Sequence, residues 1–226
     1  MKYEILYQDA FPLVKCDLQR GEKIKAESDA MVAMSATLEV NGAMNGGIIG
    51  GLARRMLTGE SFFFQTIDAV RGDGSVLLGH PAPGGIIDVE LDGSYSLRVQ
   101  KTGFLAATDS IQVDTTMQNL AQGLFSREGF FVVKISGRGT VFLSSYGAIH
   151  AINLADNEEY IVDNGHLVAW PDYMNYKIEK ASNGWISSFM SGECLVCRFR
   201  GPGVVLIQTR NPASFRQWLG TTINNS

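Results

Sequence analysis

Four groups of residues have the types and spacing to do chemistry. Cys194 and Cys197 form a Cys-x-x-Cys pair, the spacing of redox dithiols and of half a zinc site. Active versions sit at helix N-termini or in knuckles, where the thiolate is stabilised. Here the run Cys194-Leu195-Val196-Cys197 reads as a strand, and residues three apart on a strand face opposite ways. No second dicysteine completes a zinc site. The histidines are His80, His150 and His166. His150 and His166 lie in one segment, at positions where two related segments carry Val14 and Ile87, and Met31 and Phe104. They read either as half-buried core residues or as a polar pair gained by that segment alone. A metal needs three or four converging ligands, and no His-x-His pattern of a metal-binding cupin is present.

Two further groups recur. Gly72-Asp73-Gly74, Gly137-Arg138-Gly139 and Gly201-Pro202-Gly203 resemble phosphate loops in composition. A phosphate loop opens a helix whose terminal amides hold the anion, whereas each of these precedes an apolar strand, so hairpin turns are expected. Glu60, Glu128 and Glu193 each follow a short helical pattern by three residues. A catalytic acid needs a partner and a cleft; recurrence at one position points instead to a structural task, such as accepting backbone N–H bonds. No residue is left to assign as catalytic, cofactor-binding or metal-ligating, and the chain is expected not to be an enzyme.

The elements that carry these residues are themselves repeated. Residues 13–34, 86–107 and 149–169 read as copies, the third one residue shorter. Each opens with a period-2 strand: Val14, Cys16 and Leu18; Ile87, Val89 and Leu91; His150, Ile152 and Leu154. A turn follows, then Ile24 and Ala26, Leu97 and Val99, or Tyr160 and Val162. The second half of each copy starts with an apolar helical face: Leu52, Met56 and Leu57; Leu120, Leu124 and Phe125; Trp185, Phe189 and Met190. Many short strands with close turns predict small sandwiches or barrels. Three units are expected, at residues 1–84, 85–147 and 148–226, packed as one rigid body because no Pro- or Ser-rich linker separates them. Phe215, Trp218 and Leu219 share one face of a predicted closing helix.

Composition bounds the rest. The 226 residues are 45% apolar and 19% charged, with 25 glycines; that is about 11% glycine against a usual level of roughly 7%, which favours tight turns over long helices. A net charge of −4 and a sequence pI near 5.4 give no global support to phosphate or nucleic-acid binding. Three cysteines, Cys16, Cys194 and Cys197, are not a disulfide framework and imply a reducing compartment. The first residues have neither signal-peptide nor transit-peptide character, so a cytoplasmic, microbial protein is expected. Residues 41–52, NGAMNGGIIGGL, belong to the first copy only. They could touch a partner or a membrane surface, but they carry no charge to draw anionic lipid, and a flexible connector is the simpler reading. Arg198 and Arg200 alternate on one strand and read as a solvated edge.

Residues 21–34, ending AMVAM, the stretch RRMLTGESFFF at 54–64 and KTGFLAA at 101–107 together resemble the mitochondrial-biogenesis (altered-inheritance-of-mitochondria) family of unknown function. The resemblance covers essentially the whole chain. It implies an all-β fold of three tandem short double-stranded β-helix units, each similar to the tryptophan RNA-binding attenuator protein, with short connecting helices. It also implies a homotrimer in which nine units form a ring. The family offers no catalytic residues to carry over, and the inner-membrane role of its mitochondrial members is not transferred to a chain without transit-peptide character. The expected function is a non-enzymatic ring-forming scaffold or binding module with an unknown protein partner. Two alternatives stand beside it. A cupin-like small-molecule-binding or metal-dependent enzyme would bring His150 and His166 together. RNA binding rests on fold analogy, and the acidic pI with no repeated Lys or Arg position weighs against a nucleic-acid partner.

Overall fold

A computed structural model describes residues 1–42, 64–114, 118–119, 131–180 and 195–224. Among these residues, apart from one helix and short 3-10 turns, the elements are strands. β1 (Lys2–Leu6) precedes a first set: β2 (Leu13–Leu18), β3 (Lys23–Glu27), β4 (Met31–Met34), β5 (Glu39–Gly42), β6 (Phe64–Asp68) and β7 (Gly74–Leu78). A second set follows: β8 (Ile86–Asp92), β9 (Leu97–Gln100), β10 (Phe104–Thr108), β11 (Ile111–Val113), β12 (Gln118–Asn119) and β13 (Phe131–Ser144). The third is β14 (Ile149–Leu154), β15 (Glu159–Asp163), β16 (Leu167–Pro171), β17 (Asn175–Lys180), β18 (Leu195–Arg200) and β19 (Gly203–Gln208), and α1 (Pro212–Asn224) closes the chain.

One antiparallel pairing scheme recurs in all three sets. The first and third strands flank the last: β2 and β4 on β7, β8 and β10 on the second half of β13, β14 and β16 on β19. The second and fourth strands flank the remaining one: β3 and β5 on β6, β9 and β11 on the first half of β13, β15 and β17 on β18. Alternation explains the assignment. Val14, Cys16 and Leu18 are buried on β2 while Asp17 is exposed, as a strand with one wet face requires.

The sets join by strand pairing. β10 of the second pairs β3 of the first, with Ala106 opposite Ala26 and Ala107 opposite Lys25. β16 of the third pairs β9 of the second, with Ala169 opposite Val99 and Trp170 opposite Arg98. The cores interlock at the same places. Leu105 and Ala106 pack in the first set's cluster, and Val168 and Ala169 in the second's. Polar contacts reinforce the joints: Lys25 Nζ donates to the Asp109 and Ile111 carbonyls at 2.7 Å each, and Lys134 pairs with Asp172 at 2.9 Å. The third cluster is built on Trp170, whose ring centroid lies 5.4 Å from both Tyr176 and Phe199.

Two sequence expectations change. The Gly-x-Gly segments are not hairpin turns. In the second set β13 runs unbroken through Gly137–Gly139, pairing with β9 and β11 before the glycines and with β8 and β10 after them. The glycines therefore carry the chain from one sheet to the other, and the strands on either side of each segment never pair. Gly139 has φ +149°, and a Cβ there would stand 2.2 Å from Thr108 Oγ1, so no larger residue fits the crossing. The third copy is also not shorter. Met31, Phe104 and Leu167 hold equivalent places, opposite Leu78, Leu143 and Ile207. His166 thus aligns with Ala30 and Gly103, not with Met31 and Phe104; the small residue Gly165 imitates those two one position early. The three helical patterns with Glu60, Glu128 and Glu193, and most of residues 41–52, lie outside the described residues.

Candidate functional site

The residues singled out for chemistry are not drawn together. His150 is exposed on β14, opposite Ile207 of β19, rather than half-buried in the core. His166 is half-buried beyond the other side of β19, ending a 3-10 turn, and its Nδ1–H donates to the Gln208 carbonyl at 2.7 Å. β19 separates the two histidines. Among the described residues no group of three or more His, Cys, Asp or Glu could hold a metal ion.

Cys197 is wholly buried on β18, where burial, with Asp163 adding, pushes its thiol up to about 12. It is a protonated core thiol at neutral pH, the opposite of an activated nucleophile. Cys194 lies outside the described residues. Cys16 is equally buried on β2, and burial, with Asp17 adding, pushes it up to about 12 as well. His80 lines a small cavity of about 160 Å³ with Phe11, Pro12 and Ile86. Burial holds its imidazole below the ordinary range, and the Ala82 N–H donates to Nδ1 at 3.1 Å. These groups serve packing.

The departure from the repeated plan lies at two strand edges. The four residues Phe104, Leu105, Ala106 and Ala107 of β10 are fully buried, and Leu167, Val168, Ala169 and Trp170 of β16 are too. The equivalent strand β4 is Met-Val-Ala-Met and is exposed throughout, with Met31 at 38%, Val32 at 57% and Met34 at 36%. β4 has β7 on one side and no strand on the other among the described residues. The complementary gap is on β15. Its counterparts β3 and β9 each take a strand from the following set, but among the described residues β15 pairs only with β18. Tyr160 is 46% exposed where Ile24 and Leu97 are buried.

So the two pairing positions that join neighbouring sets are both filled inside the chain, and in the first and last sets both are empty among the described residues. An exposed, wholly apolar edge strand invites another strand and is usually blunted by charge or proline; β4 has neither. Sequence reading passes over Met31, Val32, Met34 and Tyr160 because their local pattern matches the buried copies. The available signal is the unbroken apolar run at residues 31–34 in the first copy.

Comparison with known proteins bears on the whole of this architecture. The family model described as "Mitochondrial biogenesis AIM24" matches residues 3–210. The uncharacterized protein M6_Spy0233 of Streptococcus pyogenes serotype M6 is 33% identical over 235 residues, spanning 99% of this chain and 93% of that protein. The crystal structure of protein SPYM3_0169 from Streptococcus pyogenes is 32% identical, with a TM-score of 0.79 over 100% of this chain and 99% of that one. This chain belongs to the mitochondrial biogenesis AIM24 family.

Proposed function

We propose that the protein is a non-enzymatic ring-forming scaffold or binding module. Three copies close head to tail, so that nine short double-stranded β-helix units, of the kind found in the attenuator protein, form one ring. The units are residues 1–84, 85–147 and 148–226. One observation carries the reading: β4 and β15 are the two halves of a joint made twice within the chain and, among the described residues, left open in the first and last sets. Joints that repeat in one direction generate rings when the rotation closes. The trimer follows from the resemblance drawn above from residues 21–34, 54–64 and 101–107.

The internal joints give the register. Ala33 of one copy would stand opposite Val162 of the preceding copy, Met34 opposite Ile161 and Ser35 opposite Tyr160. Val32 takes the place of Leu105 and Val168, which reach into the preceding set's core. It would therefore enter the cluster of Trp170, Val162 and Phe199. Burying a valine is worth about 1.5–3 kcal/mol, and each ring has three such seams. The buried free thiols of Cys16 and Cys197 suit a reducing, cytoplasmic setting, and no described helix is long and apolar enough to cross a membrane.

Light scattering on the eluting protein tests the reading. The parent chain should elute at three times its 24.6 kDa mass. Val32→Asp, placed on an exposed side chain, should elute as a folded monomer with an unchanged β-sheet spectrum. A parent chain that stays monomeric at every concentration contradicts the ring.

A further inference from the structure

The connections between sets touch one another in series. Phe11 and Pro12, ahead of β2, line a cavity with residues 80–84, the connection between the first and second sets. That connection touches the next: Gly85 N–H donates to the Gly147 carbonyl at 2.7 Å and Ser145 N–H to the Gly85 carbonyl at 3.1 Å. Residues 145–148 in turn touch the segment after β19, with Thr209 N–H donating to the Ala148 carbonyl at 3.0 Å and Arg210 N–H to the Tyr146 carbonyl at 3.2 Å. α1 then begins, and Phe215 leans on Tyr146 at 5.5 Å between ring centroids.

The series stops at both ends on exposed aromatic surface. Before β2, Tyr7 is 68% and Phe11 72% exposed; on α1, Phe215, Trp218 and Leu219 are exposed and share one face, with Trp218 at 59%. Phe215 and Trp218 stack at 5.8 Å between ring centroids. Within the chain, β13 ends at Ser144 and β14 starts at Ile149, a separation of at most about 17 Å for five extended residue steps. If copies join as proposed above, the end of β19 and the start of the next copy's β2 stand in that same relation. α1, about 20 Å long, then starts in the slot that residues 7–12 of the next copy enter.

We infer that the Phe215–Trp218–Leu219 face of α1 packs on the turn at residues 7–12 of the next copy, chiefly on its Tyr7 and Phe11. This clasp lies outside the strand seam and rests on the ring reading. A second copy suits the face better than a lipid surface. Interfacial helices carry Lys and Arg along the polar side, and α1 holds a single cation, Arg216.

The test is photo-crosslinking of the full chain with p-benzoylphenylalanine in place of Trp218, in oligomer assembled from mixed light and isotopically heavy copies. The expected product joins the tryptic peptide 217–226 to peptide 3–15, half of it carrying one light and one heavy partner. Phe11→Ala, at an exposed site, should cut its yield at least fivefold while the oligomer persists. An intact oligomer whose crosslinks fall elsewhere, or only within one copy, overturns the clasp and leaves the strand seam standing. A monomeric sample overturns both.

Discussion

β4 and β16 hold the same place in two copies of one pairing scheme, yet every residue of β16 is buried and every residue of β4 is exposed. The difference is not in the strands' own chemistry, since both are apolar. Each pairs with the last strand of its own set, but on the other side β16 has β9 and β4 has no strand among the described residues. A side chain's environment in this protein is set by the neighbouring set of strands, so a terminal set with no neighbour keeps a core sequence on its surface. An exposed apolar edge of this kind invites a further strand, and in the proposed ring that strand is β15 of another copy.

The contrast can be broken at its buried member first. Trp170→Ala removes the centre of the third cluster and should lower unfolding stability by about 3–5 kcal/mol, read from urea denaturation. Met34→Ala, at the equivalent place, should cost under about 1 kcal/mol in dissociated chains, because its side chain is already partly wet. Equal costs would mean that Met34 is as covered as Trp170.

At the seam, Val32→Asp should raise the dissociation constant between copies at least tenfold. Loss of about 1.5–3 kcal/mol of valine burial corresponds to that range, and sedimentation equilibrium would measure it. Between the sheets, Gly139→Ala should destabilise by about 2 kcal/mol. Its φ of +149° and the Thr108 oxygen 2.2 Å from the added Cβ both oppose a side chain. Gly21→Ala should cost less, since Gly21 also has positive φ but its Cβ would meet open space.

The effect that is smallest at neutral pH is a pH dependence shared by the two end sets. Burial raises both thiols to about 12 in the folded chain, above the roughly 8.5 of an unfolded thiol. Their stabilising shift is present in full below pH about 8.5 and is lost as pH rises towards 12. The urea midpoint should fall across pH 8.5–10, and less steeply in a Cys16→Ala, Cys197→Ala double variant. An identical slope in the double variant would assign the fall to other groups.

Much of the strand plan was legible in sequence. Alternation at Val14-Cys16-Leu18, Ile24-Ala26 and Leu97-Val99 reports one wet and one dry face, a local property. The Gly-x-Gly segments misled because a turn and a crossing between sheets use glycine for the same reason, and only long-range pairing tells them apart. The third copy slipped by one because Gly165 resembles Ala30 and Gly103, whereas register is fixed by Ile207 across the strand. Of the candidate site, Cys16 was visible as core and Cys197 as a strand residue, but the exposure of β4 and β15 was not. Whether an apolar strand has a neighbour is decided by residues far along the chain.

Backbone hydrogen exchange, resolved by peptide, tests the central claim most directly. At concentrations where copies associate, the amides of β4 and β15 should be protected to the level of β10 and β3, and Val32→Asp should strip that protection from β4 and β15 alone. If β4 exchanges as an open edge in the associated parent chain while β10 stays protected, the head-to-tail seam is wrong.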